Sequence, residues 1–305
     1  MMNNLDSTAP VTRPPQQKHT EGRHWGAGMR LLWQLLAVLA AVVVARLISA
    51  AVGGHPWLTF GIGLATGVLA IAVYAWVVRR TEHRAPAEVG LKAAAPSLGW
   101  SAPAGIALFG AVIALISIGG YYTINGLGDP ATALGLLGFM AGAAVSEELI
   151  FRGILFRIVE EWTGTWIALV LVGLLFGLVH LLNANATLVG ALAIAIEAGG
   201  MLTAAYIATR KLWVPIGLHF GWNLAASAIF STELSGSGAP TGLLDATTSG
   251  PALLTGGDFG PEASIYAVVF GVLATAAFMW VAYRRGYVVP VRGSARKRMI
   301  EAHPW

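Results

Sequence analysis

The chain predicts an all-α fold, a polytopic transmembrane helix bundle of about eight helices. Only 11% of its 305 residues are charged and 56% are hydrophobic, with a mean hydropathy of +0.69. Soluble domains carry about 25% charged residues. The apolar residues also gather into eight stretches, each close to the about 20 residues that a helix needs to cross a core of about 30 Å. The chain has no cysteine, which excludes a disulfide framework, a thiolate metal site and a cysteine nucleophile. A pI near 9.6 does not argue for nucleic acid as a partner, because the basic residues are spread thinly along segment ends.

The segments follow in order. Residues 1–27 are polar, with Pro14-Pro15 and Gln16-Gln17 and no apolar run, and read as a disordered cytosolic tail and not a signal peptide. The transmembrane domain is expected at 28–285, with helices near 28–50, 57–78, 99–122, 132–158, 165–182, 187–209, 213–231 and 263–283. Residues 286–305 form a basic tail. With the N-terminus inside, eighteen of the nineteen Lys and Arg fall in inner segments, as the positive-inside bias requires. The remaining one, Arg46, lies inside the first helix and is expected to snorkel outward. The outer stretch 232–262 carries Glu233, Asp245, Asp258 and Glu262 among Gly, Ser and Thr, a linker-like composition. Abundant Ala and Gly suggest a bacterial source, so a bacterial cell membrane with both termini cytoplasmic is expected.

Ionisable residues in the bilayer are costly and mark function by default. Seven qualify: Arg46, Glu147, Glu148, Arg152, His180, Glu197 and His219. Glu148 and Arg152 are four apart on the fourth helix, the spacing of an ion pair. Glu147 is turned about 100° away and has no local cation. A carboxylate without a partner in a low-dielectric site is a candidate general base. On the fifth helix Phe176 and His180 share a face, and on the seventh so do His219 and Asn223. Gly173/Gly177 and Gly217/Gly221 notch these helices for close packing. Either histidine alone would read as a packing residue; together with an amide and an unpaired carboxylate they point to a site. Glu197, on the sixth helix, is expected to pair with Arg152 or to face a hydrated cavity, as a possible auxiliary residue.

Three motifs, Glu-Glu-x-x-x-Arg (147–152), Phe-x-x-x-His (176–180) and His-x-x-x-Asn (219–223), resemble the signature of the CPBP family in order, spacing and helix placement. That family includes CAAX prenyl endopeptidases and Abi-type intramembrane proteases. The resemblance covers about 132–231, the expected catalytic core. It implies a glutamate-dependent intramembrane endopeptidase acting on a membrane-associated or lipidated peptide. In it Glu147 with His219 would activate water, His180 and Asn223 would stabilise the oxyanion, and Arg152 would hold Glu148 and the helix geometry. Members are often classed as metalloendopeptidases. Zinc on Glu147, His180 and His219 is the alternative to a cofactor-free mechanism, which is favoured because no His-Glu-x-x-His motif is present. A prenylated cysteine is not expected in a bacterial substrate. A non-catalytic scaffold and a proton-coupled transporter are the competing readings. The first is disfavoured because every motif position is filled, the second because matching halves with broken helices are missing. One tension arises. The rise per residue puts His180 and His219 about 15 Å apart in depth, so a shared site needs helix five to start deep, helix seven to tilt or the boundaries to shift, and the expected repair is that residues 150–163 re-enter or lie at the interface.

Overall fold

The computed structural model describes residues 25–51, 54–238 and 241–291. The N-terminal tail through residue 24 and the basic tail from residue 292 lie outside the described residues. The helices are α1 Ala27–Ala51, α2 Pro56–Glu82, α3 Ala94–Ile118, α4 Pro130–Glu148, α5 Arg157–Thr163, α6 Thr165–Val179, α7 Leu188–Thr209, α8 Trp213–Asn223, α9 Ala252–Thr255 and α10 Ile265–Arg284. Among the described residues seven helices are long and apolar enough to cross a membrane. The expected eighth, 213–231, is not among them. It runs as α8 and then as π-helical Leu224–Ile229, and it is buried along nearly its whole length as the innermost strut of the bundle. The polytopic all-α bundle is therefore the observed fold.

Side-chain oxygens start several helices. Asp129 accepts from the Ala131 and Thr132 N–H groups and precedes Pro130, a strong start for α4. The Thr132 hydroxyl and those two N–H groups hold the Asp129 carboxyl below its usual range. Thr187 and Ser264 cap α7 and α10 in the same way.

A buried polar layer ties one end of the bundle. Arg157 reaches Glu82 at 2.6 Å and Gln34 at 3.0 Å, and Arg30 pairs with Glu161. Arg210 pairs with Glu160 and donates to the Tyr287 carbonyl, while Leu212 N–H meets the Glu88 carbonyl. The start of α1, the ends of α2, α5, α7 and α10, and the starts of α6 and α8 thus share one end, the up-and-down order that the segment count implies.

At the opposite end β1 (Tyr122–Leu127) pairs antiparallel with β2 (Leu244–Thr248). The stretch 232–262 is therefore not a linker. Phe259 and Glu262 are buried in it, and the Asn183 side chain donates to the Ser235 carbonyl at 2.6 Å. Its small polar residues let the backbone fold down onto the helix ends, where composition alone reads as slack. Burial pushes the Glu233 carboxyl of this stretch up, against the Gly238 N–H and Asn185 amide that hold it.

Helices approach through glycine. A methyl group on Gly177 would sit 2.1 Å from the Ala191 carbonyl of α7, and one on Gly221 would sit 2.1 Å from the Ala102 carbonyl of α3. The α2–α4 seam is nearly as close: a methyl on Gly138 would meet the Phe60 carbonyl at 2.2 Å. Gly138→Ala is expected to lower stability by about 1–3 kcal/mol, because the two backbones must part. Thermal unfolding in detergent checks this against Gly61→Ala, whose added methyl meets nothing within 4 Å and is expected to be harmless.

Candidate active site

Both helices that carry charged motifs run into π-helical turns directly after them: Leu149–Phe156 after Glu147-Glu148, and Leu224–Ile229 after Asn223. Such turns recur at functional sites, because they re-aim side chains and leave backbone groups free for others. The Gly153 carbonyl illustrates this by accepting from Tyr74 at 3.1 Å and Arg157 at 2.9 Å.

Arg152 is fully buried, and each of its three guanidinium nitrogens has a hydrogen-bond partner. It meets Glu148 Oε1 at 2.8 Å, Thr203 Oγ1 at 3.2 Å and the Ala198 carbonyl at 3.0 Å. Its guanidinium also lies 4.4 Å from the centre of the Phe176 ring. The same Glu148 oxygen meets His219 Nδ1 at 2.8 Å. Nε2 of His219 faces Glu147 Oε2 at 3.8 Å. Glu148 thus links the arginine to the histidine, a contact that motif spacing within one helix cannot reveal because the partners are 71 positions apart.

Phe176 is the hub of the motif residues. Its ring centre lies 5.1 Å from that of His180 and 6.0 Å from that of His219, both edge-on. His180 Nδ1 meets the Phe176 carbonyl at 2.7 Å, so this nitrogen carries the hydrogen. The two histidines therefore reach one ring. The re-entrant segment expected for this purpose is absent: residues 149–163 simply prolong α4 to the polar layer, and α6 starts there at buried Thr165.

Glu147, His180, His219 and Asn223 all line one cavity of about 670 Å³. Its apolar wall includes Phe139, Met140, Met201 and Leu202, and Ser235 and Ser237 of the 232–262 stretch line it as well. Glu147 is partly exposed there, whereas Glu148 is fully buried. Arg46 also lines the cavity, its guanidinium 5.1 Å from the centre of the Phe139 ring; a purely outward course is thus not what it follows. Glu197 does not line the cavity, and it meets the Arg152 charge only at longer range. No ion pair joins it to Arg152, and neither carboxylate oxygen has a hydrogen-bond partner among the described residues. The reason is packing: α7 is pressed at Glu197 against Gly271 of α10, where an added methyl would sit 2.4 Å from the Glu197 Cα.

The zinc alternative would draw on Glu147, His180 and His219. Among the described residues no three His, Cys, Asp or Glu side chains converge on a point where an ion could bind. Nδ1 of each imidazole is engaged, by Glu148 and by the Phe176 carbonyl, which leaves Nε2 as the remaining nitrogen of each ring.

Sequence reasoning missed Thr203, Ser227 and Glu262. Glu262 lines the cavity and accepts from Trp222 Nε1 at 2.9 Å and from the Ser235 N–H at 2.7 Å. No local pattern marks these residues; only their convergence does.

Fold and site together define an integral membrane protein with a carboxylate–histidine centre inside its helix bundle. Residues 129–225 match the family described as Type II CAAX prenyl endopeptidase Rce1-like. Searches of curated proteins and of solved structures find no match.

Proposed function

We propose that this protein is an intramembrane endopeptidase that hydrolyses a membrane-associated or lipidated peptide by glutamate-activated water. The single observation that carries the mechanism is the 3.8 Å gap between Glu147 Oε2 and His219 Nε2 on the cavity wall. It is too long for a hydrogen bond and suits one bridging water. Glu148, held by Arg152, accepts from His219 Nδ1–H and leaves Nε2 free to receive a proton. Glu147 and His219 take the proton of the water as its oxygen attacks the peptide carbonyl. Asn223 donates its amide to the developing oxyanion without titrating. His180 has its Nδ1 hydrogen committed to Phe176, so its Nε2 donates only once protonated. In that form it supports the oxyanion, and the proton taken from the water passes from the Glu147–His219 pair to the leaving amine as the C–N bond breaks, which leaves a carboxylic acid and a free amine and restores the pair.

The apolar wall of the cavity supports a hydrophobic peptide segment that enters from the bilayer. The positive-inside bias supports a polar layer facing the cytoplasm, with the start of α1 and the end of α10 on that side.

The test is cleavage of a panel of membrane peptides by purified protein, with Glu147→Gln and His219→Ala beside the unaltered chain. Both variants are expected to lose at least about 10³-fold in kcat while keeping their unfolding temperature, and a chelator is expected to change nothing. Equal cleavage by all three proteins would overturn the reading.

A further inference from the structure

Several helical hydroxyls in this bundle return to the carbonyl one turn back. Ser101 bonds Ser97 O at 2.8 Å, Ser146 bonds Gly142 O at 2.7 Å and Thr275 bonds Gly271 O at 2.7 Å. This back-bonding is the usual fate of a helical serine or threonine in an apolar setting. Ser227 departs from it. It is fully buried, and its Oγ has no hydrogen-bond partner among the described residues. The cause is local: Ser227 lies in the π-helical turn Leu224–Ile229, where the wider coil moves the carbonyl four positions back out of register.

An unmet buried hydroxyl is costly relative to a satisfied one, so its position matters. Tyr206 also has an unpartnered buried hydroxyl, but it does not line the cavity; Ser227 does. Ser227 follows Asn223 by four positions, about one turn on the same side of the helix, and both face the space that holds Glu147 and His219.

We propose that the Ser227 hydroxyl is a second donor to the carbonyl oxygen of the scissile peptide bond, beside Asn223. The inference rests on the protease reading and adds a residue to it. A donor that is unpaired in the free protein and loses no partner when substrate arrives is pre-organised for charge that develops only in the transition state. Ser227 would be a catalytic residue by contact with the reacting oxygen, and it transfers no proton.

Two measurements on the full chain test this. In the first, Ser227→Ala is expected to lower kcat about 10²-fold, the effect of deleting one oxyanion donor, with KM nearly unchanged. Ser227→Thr is expected to restore most of the rate. The unfolding temperature of Ser227→Ala should stay level or rise, because no internal bond is lost. In the second, which needs no turnover, binding of a membrane peptide carrying a tetrahedral phosphonamidate is compared with binding of the parent peptide. Ser227→Ala is expected to weaken only the phosphonamidate, by tenfold or more. Equal kcat in Ser227→Ala, a rise in KM alone, or an unchanged ratio of the two affinities overturns the proposal. Failure of the protease reading shows separately, as cleavage that survives Glu147→Gln.

Discussion

Glu148→Gln is expected to lower kcat by about 10⁴-fold, as when the carboxylate that orients a catalytic histidine becomes an amide. The cause is specific. One Glu148 oxygen, Oε1, meets both Arg152 Nη1 and His219 Nδ1 at 2.8 Å. An amide that keeps its oxygen there buries its NH₂ where Oε2 has no hydrogen-bond partner among the described residues, and one that flips points N–H at both donors. Either way His219 loses the anionic acceptor that keeps hydrogen on Nδ1 and leaves Nε2 free for the water. Steady-state kinetics on the proposed peptide substrates check this, and nitrogen NMR of the His219 ring reads the tautomer directly. A variant with normal kcat would mean that Glu148 serves only the arginine.

Arg152→Met is expected to destabilise the protein by about 3–5 kcal/mol, the usual result of removing one partner of a buried ion pair. The substitution leaves Glu148 charged at full burial, and it also strips donors from Thr203 Oγ1 and the Ala198 carbonyl and the cation from the face of Phe176. A rise in unfolded fraction at fixed denaturant, and a lower unfolding temperature in detergent, measure the loss. The double variant Glu148→Gln/Arg152→Met separates fold from chemistry. With no net charge left buried at the pair, it is expected to regain much of the stability, yet to remain inactive because His219 is still unheld. Recovery of activity in the double variant would move the catalytic role away from Glu148.

Much of this architecture was legible in the sequence, because membrane folding obeys strong local constraints. An apolar stretch of bilayer length must be a helix, since its backbone polar groups have no water to bond. Seven of the eight expected segments stand as long apolar helices for that reason. The eighth was legible as a helix, though its change to π geometry at Leu224 was not. The ion pair of Glu148 with Arg152 and the approach of Phe176 to His180 were legible too, because each lies within one turn of one helix.

Relations between helices were decided only by the tertiary structure. That His219 meets Glu148 as well as Glu147, that Phe176 lies against both histidines, and that Glu197 is turned into the α10 seam depend on packing between distant segments. The 232–262 stretch shows the same division. Its Gly, Ser and Thr content is compatible with slack, but the pairing of β2 with β1 and the bonds of Glu262 to Trp222 and Ser235 bring it to the cavity wall. The sequence by itself determined which residues are too polar for the bilayer and which helix faces they occupy, since helical periodicity is local. Which of them share one cavity was set by glycine-notched crossings and side-chain contacts between helices, whose geometry no single segment encodes.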